Sequence, residues 1–279
     1  MWPRSRELRF LLDGAFYRMA AVEMGNPAAP PVVCVHGLTR NGHDFDTLME
    51  ALAEQFLVIA PDLPGRGRSE WLADGKLYQP AAYVQALAHL LAVIGRPVMW
   101  VGTSLGGICG MMIGAAAGQP ITKMVLNDIG PQIPAAALAR IRDYIVSAPE
   151  SFADLDELES YLRMVHGTFG KLSDKDWARM AEFSARPLPS GRIALHYDPK
   201  IVEPIRTQAP KAVEMWDLWE RIRIPVLAIR GEASDLLLPE TLRRMVAAGA
   251  TSLVVPGAGH APPLTDRASL EAVVAFLSG

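Results

Sequence analysis

Short runs of aliphatic and β-branched residues alternate along this chain with longer stretches in which apolar positions recur every third or fourth residue. The short runs are Val32–Val35, Phe56–Ala60, Val98–Gly102, Lys123–Asn127, Val226–Ile229 and Ser252–Val255. They read as continuous apolar runs rather than as alternations, the pattern of strands buried on both faces of a parallel sheet. Helical patterns follow most of them, over Asp44–Glu54, Pro80–Ile94, Leu105–Ala117, Pro239–Ala247 and Arg267–Leu277. Ahead of the first run, Glu7–Leu12 and Phe16–Glu23 flank Asp13-Gly14. That dipeptide accepts the positive φ angles of a tight hairpin turn, so an antiparallel pair at a sheet edge is predicted. Strands alternating with helices give the α/β class.

The rhythm breaks between residues 129 and 224. A parallel crossover needs only about a dozen residues, so this stretch holds structure of its own. Leu155, Leu158, Leu162 and Val165 recur at helical spacing behind Asp154, a good N-cap. Ser173 with Asp176 forms a capping-box pattern ahead of Trp177, Met180 and Ala181. A Pro- and Gly-containing loop over Arg186–Gly191 precedes a predicted helix over Pro199–Gln208. The chain then returns to finish the same sheet. This predicts a helical cap over 131–224, inserted into a core built from 1–130 and 225–279.

Composition narrows the partners. The chain has 279 residues, with 27 Lys and Arg against 30 Asp and Glu, a net charge of −3. No basic cluster is present, which argues against nucleic acid as a partner. No uninterrupted apolar stretch approaches the roughly 18 residues of a membrane span. The N-terminal Met1–Phe10 carries charges and no apolar core, so no signal peptide is expected. Cys34 and Cys109 lie in apolar segments and read as buried free thiols of a reducing compartment. A cytoplasmic protein, monomer or homodimer, is the expectation, acting on a small-molecule substrate.

Gly102-Thr103-Ser104-Leu105-Gly106 fits Gly-x-Ser-x-Gly, directly between an apolar strand and a helix. A sharp strand-to-helix turn lifts the Ser104 hydroxyl to the C-terminal edge of the sheet, and the glycines give the turn room. There the backbone N–H of Leu105 faces a developing oxyanion. A serine hydroxyl needs a base. His260 supplies it from the Gly- and Pro-rich loop Pro256–Pro262, which follows the last strand at the same edge. The base needs a carboxylate to fix its tautomer. Asp235, in the loop after the penultimate strand, is the expected acid, and Asp128, at the end of the preceding strand, is its rival. The N–H of Leu38, in His36-Gly37-Leu38-Thr39-Arg40, is the expected second oxyanion donor, with His36 bracing the loop. Asp62–Ser69 lacks the Lys-Ser/Thr ending of a phosphate loop and reads as a structural turn.

Taken together, His36-Gly37, Asp62-x-x-Gly65-x-Gly67-x-Ser69, Gly102-x-Ser104-x-Gly106-Gly107, Asp235 and Gly259-His260 resemble the α/β-hydrolase fold family. The resemblance runs from the first strands to the final helix. It implies a mostly parallel eight-stranded sheet with helices on both faces, a cap after the sixth strand, and a Ser-His-Asp triad. Asn127–Pro131 and Tyr197–Pro199 are similar to a bacterial subgroup described only as hydrolases.

The expected reaction is hydrolysis of a carboxylic ester of a small, largely apolar substrate through an acyl-enzyme on Ser104, with no metal and no cofactor. A carbon–carbon bond hydrolase, a lactonase or a thioesterase would use the same residues, and a receptor-like member with little turnover is a third class. Arg40, Trp177 and Trp216 are candidate substrate contacts, against which stand a solvent-facing Arg40 and tryptophans packed between cap and core. The other alternative for Arg40 is pairing with a structural carboxylate. Tyr144, Leu162, Met164, Phe169, Met180, Phe183 and Trp219 add apolar bulk from the cap. His43, His89, His166 and His196 are assigned no role.

Overall fold

The computed structural model describes residues 3–206 and 209–279. Strands β1 (Arg4–Leu12) and β2 (Ala15–Met24) form the expected hairpin, with Asp13 and Gly14 both at positive φ. Then come β3 (Pro31–Val35), α1 (Asp46–Leu52), β4 (Leu57–Pro61), α2 (Pro80–Ile94), β5 (Val98–Thr103), α3 (Leu105–Gly114) and β6 (Ile121–Asn127). After a long excursion the core resumes with β11 (Val226–Gly231), α9 (Pro239–Ala247), β12 (Thr251–Val255) and α10 (Arg267–Ser278). The eight strands make one sheet in the order β1-β2-β4-β3-β5-β6-β11-β12. Only β1–β2 and β2–β4 pair antiparallel within it.

Alternate side chains of each central strand enter opposite cores. Val33 and Val35 pack with Leu87 and Cys109 on the α2–α3 face, whereas Val32 and Cys34 pack with Leu48 and Val273 on the α1–α10 face. Every residue of β3 and β4 is buried, as helices on both faces require. The last strand departs from that reading. No residue of β12 is fully buried, because it forms the sheet edge and pairs only with β11. Both cysteines are free and buried. Burial pushes both thiols up, Cys109 to about 12.

The excursion carries β7 (Gln132–Ile133), α4 (Ala135–Val146), α5 (Leu155–His166), α6 (Asp174–Ser184), β8 (Ala185–Pro187), β9 (Ile193–Leu195), α7 (Glu203–Arg206), β10 (Val213–Glu214) and α8 (Trp216–Trp219). Asp154 caps α5 and Ser173 with Asp176 completes the capping box of α6. The region read as Pro199–Gln208 is a short 3₁₀ turn followed by α7, and Thr207 and Gln208 lie outside the described residues. Antiparallel pairing of β7 with β10 ties the two ends of the excursion together. The chain therefore leaves the sheet at β6 and re-enters at β11, the hydrogen-bonded neighbour of β6. Among the described residues no helix is long and apolar enough to cross a membrane.

Candidate active site

Ser104 sits between β5 and α3 with φ 51° and ψ −113°, a conformation that costs a non-glycine residue about 1–3 kcal/mol. Its neighbours explain how the turn is tolerated. A Cβ on Gly106 would lie 2.0 Å from the Val35 carbonyl oxygen, and one on Gly102 would lie 2.5 Å from the backbone of Gly106. The strands can approach the helix this closely only without side chains at those positions. The Ser104 N–H donates to Asn127 O at 3.0 Å, which locks the turn to the end of β6.

The Ser104 hydroxyl donates to His260 Nε2 at 3.0 Å, and His260 Nδ1–H donates to Asp128 Oδ2 at 2.7 Å. The carboxylate partner fixes the proton on Nδ1 and leaves Nε2 as the acceptor. Asp128 is completely buried. Its Oδ1 accepts the Gly231 N–H at 2.9 Å and its Oδ2 also accepts the Ser234 hydroxyl at 2.6 Å. Those bonds offset the cost of burying the charge. Ser234 is a position the sequence reading missed. Its signal is a hydroxyl residue at the mouth of β11, one residue before Asp235.

Asp235 is not part of this chain of hydrogen bonds. It is half-exposed and is held by a bidentate pair from Arg140 of α4, with both N–O distances 2.7 Å. Partial burial would raise its carboxyl, but the hydrogen bonds and charge of Arg140 outweigh that and hold it below the usual carboxylate range. The structure thus brings Ser104, His260 and Asp128 together and directs Asp235 outward. Since β6 and β11 are adjacent, the two aspartates lie in the segments that follow neighbouring strands. Asp128 turns inward at φ 55°, whereas a cap helix claims Asp235.

The loop carrying Leu38 is fixed from three sides. His36 Nε2 accepts the Leu63 N–H at 2.9 Å, so Nδ1 carries the proton and donates to Gly37 O at 2.7 Å. Arg66 Nε donates to Leu38 O at 2.9 Å, and His196 Nε2–H donates to Thr39 O at 3.2 Å. Successive carbonyls are therefore each held by a buried side chain. A Cβ on Gly37 would lie 3.7 Å from Ser104 Cβ, which places this loop beside the serine. Among the described residues neither the Leu38 N–H nor the Leu105 N–H has an acceptor. Leu105 is the first residue of α3, where helix geometry leaves the N–H free. Burial, with the charges of Arg66 and Arg40, lowers His36 to about 3 despite its bond to Gly37 O, so the ring is a neutral brace.

The Asp62–Ser69 loop is a structural turn. Asp62 accepts the Gly42 and Arg68 N–H groups, and Ser69 Oγ donates back to Asp62 O at 2.6 Å.

Ser104 and His260 open into a cavity of about 640 Å³, whose lining includes the apolar residues Leu38, Ile108, Ile129 and Ile141 with Tyr144. Of the cap residues expected there, Tyr144, Phe169, Met180 and Phe183 line it. Trp177 and Trp216 do not. Trp177 is buried with Arg163 over its ring, and Trp216 stacks on Arg244 at 3.5 Å from its ring centre. Leu162 and Trp219 are committed to the core, and Met164 is 74% exposed. Arg40 lines the cavity, but its guanidinium is already paired with Asp44 and with Ser184 Oγ at 3.0 Å. It takes the structural role rather than that of a free carboxylate receptor. His166, assigned no role from sequence, lines the cavity. Its signal is position: it follows Leu162 by one helical turn.

The sequence and fold as a whole have relatives. The Alpha/beta hydrolase family model matches residues 32–275. A 3-hydroxybutyrate-oligomer hydrolase of Cupriavidus necator is 38% identical over 99% of this chain and 98% of its own length. An esterase of Mycobacterium tuberculosis is 29% identical over 75% of this chain and 68% of its own. The crystal structure of an alpha/beta hydrolase from Novosphingobium aromaticivorans superposes with a TM-score of 0.88 at 34% identity, covering 98% of each chain. With the strand order, the serine turn and these matches in agreement, the chain belongs to the alpha/beta hydrolase family.

Proposed function

We propose that the protein hydrolyses carboxylic esters by way of an acyl-enzyme on Ser104. The observation that carries this is the unbroken series Ser104 Oγ to His260 Nε2 at 3.0 Å and His260 Nδ1 to Asp128 Oδ2 at 2.7 Å. Ser104 Oγ attacks the ester carbonyl while His260 takes its proton. Asp128, rather than Asp235, orients the ring and stabilises the imidazolium. The N–H groups of Leu38 and Leu105 receive the oxyanion. Collapse breaks the ester C–O bond, and His260 returns the proton to the leaving alcohol. Water then attacks the acyl-enzyme with His260 again as base, releasing the acid and restoring Ser104.

The mostly apolar lining of the cavity that holds Ser104 supports a small, largely apolar acyl group. Within that class, short oligoesters of hydroxy acids are the first candidates, because the relative matching along the whole chain is named for such a substrate. The segment 131–224 acts as the cap that sets cavity size.

The test is labelling with a fluorophosphonate, together with release of p-nitrophenol from short acyl esters. Stoichiometric labelling that disappears in Ser104→Ala, with matching loss of turnover, is expected. A folded protein that takes up no label would instead mark a binding module.

A further inference from the structure

We infer that His166 is a specificity-determining residue that recognises a hydroxyl group on the ester substrate; this rests on the ester-hydrolase reading above and names the substrate class for the same cavity. His166 ends α5 and lines the cavity shared by Ser104 and His260. It is only 5% exposed. Each of the other buried polar side chains of that lining makes at least one hydrogen bond: Thr39 with Tyr144, Arg40 with Asp44, Asp46 with Arg179, Tyr78 with Asp198, Tyr83 with Arg66, and Asn127 through Nδ2 with Pro262 O, its enclosed Oδ1 alone lacking a partner. Among the described residues His166 has ring contacts alone. It stacks on Phe169 at 4.5 Å between centroids and meets the edge of Tyr144 at 6.0 Å.

The His166 ring nitrogens have no hydrogen-bond partner yet are not closed off from the cavity, so a ligand bound there can reach and complete them. Burial, then the nearby charges of Arg40 and His260, holds the imidazole well below its ordinary pKa, so it stands neutral. A neutral imidazole offers one donor and one acceptor. That pair matches a hydroxyl, which both gives and receives a hydrogen bond. A carboxylate only accepts, and the guanidinium groups of this lining, those of Arg40, Arg140 and Arg179, are already paired with Asp44, Asp235 and Asp46. The phenyl and phenol rings on either side hold the imidazole in place, so the bond forms with little ordering of the side chain.

The experiment compares kcat/KM for p-nitrophenyl butyrate and for each enantiomer of p-nitrophenyl 3-hydroxybutyrate. The native protein is set against His166→Phe, which keeps the ring contacts, and His166→Gln, which restores a donor and an acceptor. The native protein is expected to favour one hydroxy ester. In His166→Phe the preference for that ester over butyrate falls about tenfold, the worth of one such hydrogen bond. His166→Gln keeps part of the preference. Fluorophosphonate labelling of Ser104 in both variants checks that the site is intact. Equal losses on both esters, or no loss on either, overturn the role of His166 while leaving ester hydrolysis standing. A native protein inactive on every ester removes both readings.

Discussion

His36 donates from Nδ1 to the carbonyl of Gly37 at 2.7 Å. In a trans peptide the carbonyl and the following N–H point in opposite directions, so this bond aims the Leu38 N–H away from the ring. His36 thus sets the direction of a candidate oxyanion donor without touching substrate. Replacing His36 with Ala removes the brace and strands the Leu63 N–H. The expected result is a fall in kcat of about ten- to a hundredfold with KM little changed, smaller than the hundred- to thousandfold loss of a donor itself. Steady-state kinetics on a p-nitrophenyl ester reads it, and an unaltered kcat in folded variant would count against the brace.

The two aspartates separate cleanly. Asp128→Asn keeps the shape but removes the charge that orients His260, and a loss near 10⁴-fold in kcat is expected. Asp235→Asn breaks only a half-exposed pair with Arg140, worth about 0–1 kcal/mol, and turnover should stay within about threefold. The reverse ranking would return the acid role to Asp235.

Acid should destabilise the fold early. Burial first, with nearby arginine charge second or further down, holds His36, His166 and His196 below the ordinary histidine value in the folded state. Unfolding frees them to titrate near pH 6.5. Below that pH the unfolded chain binds more protons, so stability is full above about pH 6.5 and declines as pH falls toward the folded values. Each ring contributes up to about 1.4 kcal/mol per pH unit. Urea unfolding at pH 7.5, 6.5 and 5.5 measures the slope, and a flat profile contradicts the assignment of neutral buried rings.

Gly106→Ala tests the serine turn. The added Cβ would press on the Val35 carbonyl, a rigid strand atom. A loss of at least about 3 kcal/mol, or failure to fold, is expected. Thermal unfolding compared with Gly118→Ala is informative, since Gly118 has open space but a positive φ.

The sheet and the meeting of Ser104 with His260 are legible because each leaves a local mark: an apolar run, a glycine turn, a histidine in a Gly- and Pro-rich loop after a strand. The choice between Asp128 and Asp235 is not. Both follow Ser104 and precede His260, and both lie after strands that turn out to be neighbours. What separates them is a φ angle at residue 128 and a guanidinium arriving from α4, contacts that no local pattern encodes. The same limit applies to Trp177 and Trp216. Their size announced burial, but which way a helix turns its tryptophan depends on its packing partners, here Arg163 and Arg244. His166 escaped for the opposite reason, since its one mark, a place one helical turn after Leu162, is shared by any packed helix residue and does not tell a cavity wall from a core.

The short ladder between β7 and β10 has an evolutionary corollary. Because the excursion starts and finishes on one clasp, residues 134–212 can lengthen, shorten or be exchanged without altering the register of a single sheet strand. Drift within that contiguous stretch is restrained where it reaches back to the core, as at His196 on the Thr39 carbonyl, and is free where no such tie exists.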